Sequence, residues 1–309
     1  MTRPLLSGLL LVLVASCGGG PVATGTAPSD TAAPSATHNA DGSPAVEATD
    51  EARTLATCTT DIAADVPEFY HRYFRCVTIV RSANGVTITT ADLPPHVSYY
   101  YGASSPNYAA FDTSRGQQYG PNPNTLTEQD ISITIPDSPT LAGLTITADM
   151  IDLQTGTDAN EYSLGPIGVA VDSVALFAGF AAPGHDLAEE RFTFDSYEGH
   201  PDDRGGAYHY HGSTPGPLEV LSAAGLVSTT VPGAAEVELY GILVDGTVVL
   251  GCTELDGSAP SGLDAQGGHI GDLRATDGTT FFTGRYHTHV CPDAAHGYPH
   301  TPEISVYGG

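Results

Sequence analysis

The chain has 309 residues, 40% apolar and only 15% charged, so it can bury a sizeable core as one large domain or two small ones. Its formal charge of -26 argues against nucleic acid and against direct adhesion to anionic lipid, since either partner would be repelled. All ten basic residues are Arg, which excludes Schiff-base, serine-lysine and P-loop chemistry, each of which needs a lysine amine.

Residues 1–16 read as a lipoprotein signal peptide. Arg3 precedes an apolar run at 5–14 that is too short to span a bilayer as a helix and suits a signal-peptide core. Val14, Ala15, Ser16 and Cys17 look like a lipobox, which makes Cys17 the lipid anchor and the membrane a partner through it. The expected location is the cell envelope, extracytoplasmic, at the outer membrane or cell surface. Residues 17–54 are rich in Ala, Thr, Ser, Pro, Gly and Asp and read as a disordered linker, in which His38 is merely solvated.

Four further cysteines remain. An even number in an exported chain favours disulfides, and of the possible pairings the sequence-local one, Cys58 with Cys76 and Cys252 with Cys291, needs least rearrangement. The rival reading is a soft metal site, but no Cys-x-x-Cys pair is present.

The domain is expected to run over residues 55–309 and to be mainly β, built of antiparallel hairpins and short sheets with few short helices. Residues 69–88 read as strands around an Asn84-Gly85 turn. The Tyr-, Pro- and Gly-rich stretch 93–119, containing Tyr99, Tyr100 and Tyr101, reads as an ordered covering loop. Ile131, Ile133 and Ile135 alternate with polar residues as a half-buried strand, and Leu144 and Ile146 suggest another.

From Gly165 the chain repeats itself, with half-repeats at about 165–212 and 238–290. Apolar runs around Asp172-Ser173 and Asp245-Gly246 read as matching hairpins. Asp195, Gly199 and His200 then match Asp264, Gly268 and His269. Tyr208-His209-Tyr210-His211 matches Tyr286-His287-Thr288-His289, after an insertion around 273–283 in the second copy. On a strand, side chains alternate faces, so His209 and His211 share one face while Tyr208 and Tyr210 share the other.

These residues resemble the YHYH-domain family. The resemblance spans about 84–309: His96, Asn122 to Thr125, Gly165 to Val169, Phe194 to Ser196, Gly199-His200-Pro201, Tyr208 to Gly212, Tyr240 to Ile242, Leu263-Asp264, Gly268-His269, Tyr286 to His289 and Tyr298-Pro299. Thr288 replaces the usual Tyr, and Ser173 the usual Gly. The resemblance implies an exported, often anchored protein and no established reaction.

Two histidines at i and i+2 on a strand, with a third from a glycine-hinged loop, form a three-nitrogen set suited to zinc or copper. The candidate ligands are His200, His209 and His211 in one set and His269, His287 and His289 in the other, serving one shared centre or two. The competing reading is a strand whose histidines bond carbonyls and whose tyrosines pack. Asp195 and Asp264 are candidates for ligands, for groups orienting an imidazole, or for turn caps. Tyr208, Tyr210 and Tyr286 are candidate proton or radical donors. His96, His185, His296 and His300 are weaker candidates. Because imidazoles bind metal when neutral, occupancy is expected to fall as pH drops through about 6.5.

Three functional classes follow: a metalloenzyme with an open coordination position; a metal-carrying or structural-metal surface protein; and a non-catalytic lipoprotein with structural histidines. The last would bind a small molecule, a surface polysaccharide or another partner through Tyr99, Tyr100, Tyr101 and Tyr108. No Gly-x-Ser-x-Gly, His-Glu-x-x-His or strand-borne Gly-x-Gly-x-x-Gly motif supports the more familiar alternatives.

Overall fold

The computed structural model describes residues 51–292 and 300–308. The signal peptide, Cys17, His38, His296 and Tyr298-Pro299 lie outside the described residues, as does most of the linker. The fold is mainly β. Its strands are β1 (Asp61–Ile62), β2 (Thr78–Ser82), β3 (Gly85–Thr90), β4 (Ile131–Pro136), β5 (Thr140–Leu141), β6 (Gly168–Ala170) and β7 (Ala175–Leu176). They continue with β8 (Gly199–Pro201), β9 (Tyr208–Tyr210), β10 (Leu239–Leu243), β11 (Val248–Leu250), β12 (Gly268–Arg274), β13 (Thr280–His289) and β14 (Tyr307–Gly308). The α-helices are short: α1 (Glu68–Tyr73), α2 (Leu187–Glu190) and α3 (Pro215–Ala223).

A four-stranded sheet in the order β1-β2-β3-β4 carries Ile79, Ile88, Ile133 and Ile135 into a core shared with Val169, Tyr240 and Ile242. Its register differs from expectation at the first hairpin. Ser82 pairs with Gly85, so Ala83 and Asn84 form the turn, one position earlier than Asn84-Gly85. The expected strand at Phe69 is instead part of α1, which buries Phe69, Tyr70 and Tyr73. Leu144 and Ile146 belong to no strand. Ile146 packs with Tyr286, Ile304 and Val306 in a small separate cluster, and the neighbouring strand is β5, paired with β14.

The larger sheet has the order β12-β13-β11-β10-β6-β7-β9-β8. Read from either end, the sequence of pairings is the same: antiparallel, parallel, antiparallel, then the antiparallel β10–β6 junction in the middle. The half-repeats are therefore related by a pseudo-twofold axis. The register agrees residue by residue, with Ala175 opposite His209 and Val248 opposite His287. Ser173 (φ 83°) and Gly246 (φ 96°) fill the same left-handed turn position; Gly takes it without strain, whereas Ser has a Cβ to accommodate. The insertion is visible as the extra length of the β12–β13 hairpin. Phe281 and Phe282 lie 5.6 Å and 5.0 Å from the Phe69 ring, and Arg72 pairs with Asp277 at 2.7 Å, so the extension docks on α1.

Both sequence-local disulfides are present, Cys58–Cys76 and Cys252–Cys291.

Candidate metal centres

The two histidine sets sit at opposite ends of the eight-stranded sheet. Strands β9 and β13 are five steps apart, a separation on the order of 24 Å at ordinary strand spacing. The centres are thus separate. His200 and His269 are not on loops as the spacing suggested. Each lies on a strand, β8 or β12, directly opposite the first histidine of the pair, His200 against His209 and His269 against His287. Their preceding glycines act as cradles rather than hinges. A Cβ on Gly199 would meet the Tyr208 ring at 2.6 Å, and one on Gly268 would meet the Tyr286 hydroxyl at 1.9 Å. The Gly-His pair therefore lets a tyrosine of the neighbouring strand lie across its backbone.

In the first centre all three imidazoles are buried, and their Nε2 atoms converge. His209 Nε2 lies 3.1 Å from His200 Nε2 and 3.0 Å from His211 Nε2. The other ring nitrogens are occupied. His209 Nδ1–H donates to the Ala207 carbonyl at 2.9 Å, and His211 Nδ1–H donates to the Ala178 carbonyl at 2.8 Å. His200 Nδ1 lies 2.7 Å from Thr193 Oγ1, whose own proton goes to the Glu190 carbonyl, so Thr193 accepts from His200 Nδ1–H. With Nδ1 protonated in each neutral ring, every Nε2 presents a bare lone pair. Burial pushes His209 down to about 4 and His211 to about 3. Burial and the neighbouring His209 and His211 hold His200 well below the usual imidazole range. With the His209 lone pair 3.0–3.1 Å from each of the other two, and all three within 4.8 Å, the lone pairs repel one another unless a cation lies between them. Tetrahedral zinc with imidazole ligands would set neighbouring nitrogens about 3.3 Å apart, close to the observed spacing. Phe177 stacks on the His209 ring at 3.7 Å and helps fix its plane.

The second centre adds a carboxylate. Glu254 joins His269, His287 and His289. Glu254 Oε1 lies 2.9 Å from His269 Nε2 and 3.6 Å from His289 Nε2, while Oε2 lies 3.0 Å from His287 Nε2. The contacts to His269 and His289 lack hydrogen-bond alignment, and both nitrogens are buried without a hydrogen-bond partner among the described residues. His287 and His289 again give their Nδ1–H to carbonyls, those of Arg285 and Gly251. Burial works against the Glu254 charge, but its contacts with His287 and His289 hold the carboxyl well below the usual range. Three nitrogens and one carboxylate could offer a metal ion a complete four-coordinate set.

At the first centre no carboxylate among the described residues occupies that place. Glu190, at the end of α2, approaches one edge with Oε1 3.7 Å from His200 Nε2. Its Oε2 is buried with no hydrogen-bond partner among the described residues, and burial pushes the carboxyl up to about 7. The three imidazoles line one side of a cavity of about 660 Å³. His185 also lines it.

The remaining candidates are placed elsewhere. Tyr208, Tyr210 and Tyr286 point to the face opposite the imidazoles, so they are not positioned as donors to a metal-bound group. Tyr208 donates to Asp195 Oδ2 and Tyr286 to Asp264 Oδ2, each at 2.8 Å. Asp195 Oδ1 caps the turn through Tyr197 N–H and Gly199 N–H, and Asp264 Oδ1 through Gln266 N–H and Gly268 N–H. Both aspartates are therefore turn caps that anchor a tyrosine, not ligands. His96 is buried against Tyr210 and stacked on Tyr197 at 3.6 Å, and His300 lies beside the Thr301 carbonyl. Tyr100 and Tyr101 are buried, so they offer no contact surface; of the proposed surface tyrosines only Tyr108 is exposed. Sequence reasoning missed Glu254 and Glu190. Both come from connections outside the paired strands, and the only signal for Glu254 was its place two residues after Cys252.

No protein-family model, curated protein or solved structure matches the chain.

Proposed function

We propose that this protein is an exported, lipid-anchored metalloprotein of the YHYH-domain type, holding two independent transition-metal ions, zinc or copper. The convergence of three bare Nε2 atoms at His200, His209 and His211 carries the reading. Structural histidines would have turned these nitrogens toward donors, which the paired strands do not supply. Imidazole without thiolate suits Zn(II) and Cu(II), with copper the tighter binder at a given site. The complete set at Glu254 suits a structural ion that holds the β12–β13 hairpin to the loop after β11. The lipobox ending at Cys17 supports anchoring, and the two disulfides suit an oxidising compartment.

Elemental analysis of the purified chain tests the metal. Two equivalents are expected, falling to one in a His209→Ala/His211→Ala variant. Full metal content in that variant, or failure of the wild type to take up either ion, would overturn the reading. Cys17→Ser should move the protein out of the membrane fraction or leave it unprocessed, and unchanged fractionation and lipid labelling would remove the anchor.

A further inference from the structure

The half-repeats differ in what faces their imidazoles. Continuing the offset that relates Ala178 to Gly251, Ala181 stands where the second half has Glu254, and a methyl group cannot ligate. The first centre keeps three protein ligands, the arrangement of catalytic rather than structural zinc, in which the fourth position is left for water or substrate. That side opens on the 660 Å³ cavity, within the usual range for a small-molecule site. Glu190 reaches this edge with a buried oxygen that has no hydrogen-bond partner among the described residues.

The lining restricts the ligand. Asp186, Glu189, Asp202 and Asp203 join Glu190 around the opening, against Arg204 as the one Lys or Arg there among the described residues. A phosphate ester or carboxylate would meet repulsion, whereas a neutral or cationic molecule would not.

We propose that the first centre is hydrolytic and that Glu190 is its proton-transfer residue, acting on a neutral or cationic acyl compound, an ester or amide, seated in this cavity. This rests on the metal reading above. A proton passes from water to the Glu190 carboxylate as the water oxygen bonds to the acyl carbon. The bond from that carbon to its leaving oxygen or nitrogen then breaks, and the leaving atom takes the proton from Glu190. No electrons change hands, and water is the only co-reactant.

The test uses the zinc-loaded full chain with p-nitrophenyl acetate, a neutral ester, and mono-p-nitrophenyl succinate, an anionic one. The wild type should accelerate hydrolysis of the neutral ester and favour it at least tenfold. Glu190→Gln should lower kcat/KM by roughly 100-fold or more while both metal equivalents remain, the range expected for losing a proton-transfer group. Retained metal also shows that the variant is folded. Two bound ions with no acceleration of either ester would overturn the hydrolytic assignment and leave the metal reading intact. An undiminished Glu190→Gln rate would remove Glu190 from the chemistry, and preference for the anionic ester would overturn the substrate class. A chain that binds no metal would defeat the underlying reading instead.

Discussion

Ala178 and Gly251 are counterparts across the pseudo-twofold axis: the carbonyl of one accepts His211 Nδ1–H at 2.8 Å, and the carbonyl of the other accepts His289 Nδ1–H at 2.9 Å. The duplication thus preserves ring orientation as well as ligand identity. Five of the six imidazoles, all but His269, are held by the far nitrogen so that Nε2 faces the centre, the usual way a protein fixes the tautomer of a ligating histidine. Since that orientation is kept in both halves, their difference comes from the acidic residue each loop brings.

Replacing Glu254 isolates that difference. Glu254→Gln keeps the shape but removes the charge shared among His269, His287 and His289. Affinity at the second centre should fall by more than the roughly 10–100-fold typical of groups that merely orient a ligand. Competition against a chromophoric chelator measures it, with one tight equivalent expected to remain at the first centre. Two unchanged affinities would mean that Glu254 is no ligand.

The histidine pairs were legible in the sequence because strand alternation is a strict period of two, and Tyr208-His209-Tyr210-His211 has no other simple reading. The third histidines were legible as candidate ligands grouped with each pair but not as strand residues, because Gly199 and Gly268 look like hinges until the tyrosine rings they accommodate are seen. The same alternation that joined His209 to His211 already set the tyrosines on the opposite face, away from any metal. Glu254 and Glu190 could not be picked from 36 acidic residues, since a loop carboxylate carries no periodicity and its role depends on where the chain returns. Helix α1 was hidden for a related reason. Its aromatic residues suit strand or helix, and the β12–β13 extension that they pack against is far away in sequence.

The pH response of the first centre should depart from that of free imidazole. Protons were expected to compete with metal from about pH 6.5 downward, but burial pushes His209 to about 4 and His211 to about 3. Folded-state values below the unfolded one mean that their contribution to apo-protein stability is full above about 6.5 and is lost as pH falls toward about 4. While the fold persists, the nitrogens stay free for metal through that window. A His287→Ala/His289→Ala variant, which leaves the first centre alone, should keep nearly full occupancy at pH 5.5 in equilibrium dialysis. Loss already near pH 6.5 would show rings titrating as if exposed.

Asp172 gives the opposite slope. Tyr210 Oη lies 2.9 Å from Asp172 Oδ2 and 2.8 Å from His96 Nε2, and His96 Nδ1–H donates to the Val97 carbonyl. His96, pushed down to about 3 by burial, is neutral, so its Nε2 accepts the Tyr210 proton. When Asp172 is charged the Tyr210 proton turns to its Oδ2, but burial outweighs that bond and pushes the carboxyl up to about 7, and the protonated Asp172 then donates to Tyr210. The folded state therefore holds a proton that the unfolded chain has released, and the stability this gives is complete below about 3.9 and lost as pH rises through about 7. Asp172→Asn can donate to Tyr210 at every pH. Urea melts should show the variant gaining on the wild type between pH 5 and pH 8; a constant difference would mean that Asp172 is charged in the fold throughout.

The disulfide Cys252–Cys291 brackets the second centre. Cys252 lies two residues before Glu254 and Cys291 two residues after His289, so the bond joins the segment carrying the carboxylate to the end of the strand carrying two imidazoles. Glu238 holds the same segment by accepting the Cys252 N–H at 2.9 Å. A Cys252→Ser/Cys291→Ser variant loses a closed loop of 39-residue separation, worth about 4 kcal/mol on the chain-entropy account. It also frees Glu254 to move relative to His289. Stability in urea should drop by roughly that amount. Metal affinity should weaken at the second centre and not at the first, since β8 and β9 are at the far end of the sheet. Excess zinc should restore part of the lost stability, because a ligand that binds only the folded state stabilises it by mass action. Equal weakening at both centres would show that the bond supports the whole sheet rather than this site, and no change at either would show that Glu238 and the sheet hold Glu254 without it.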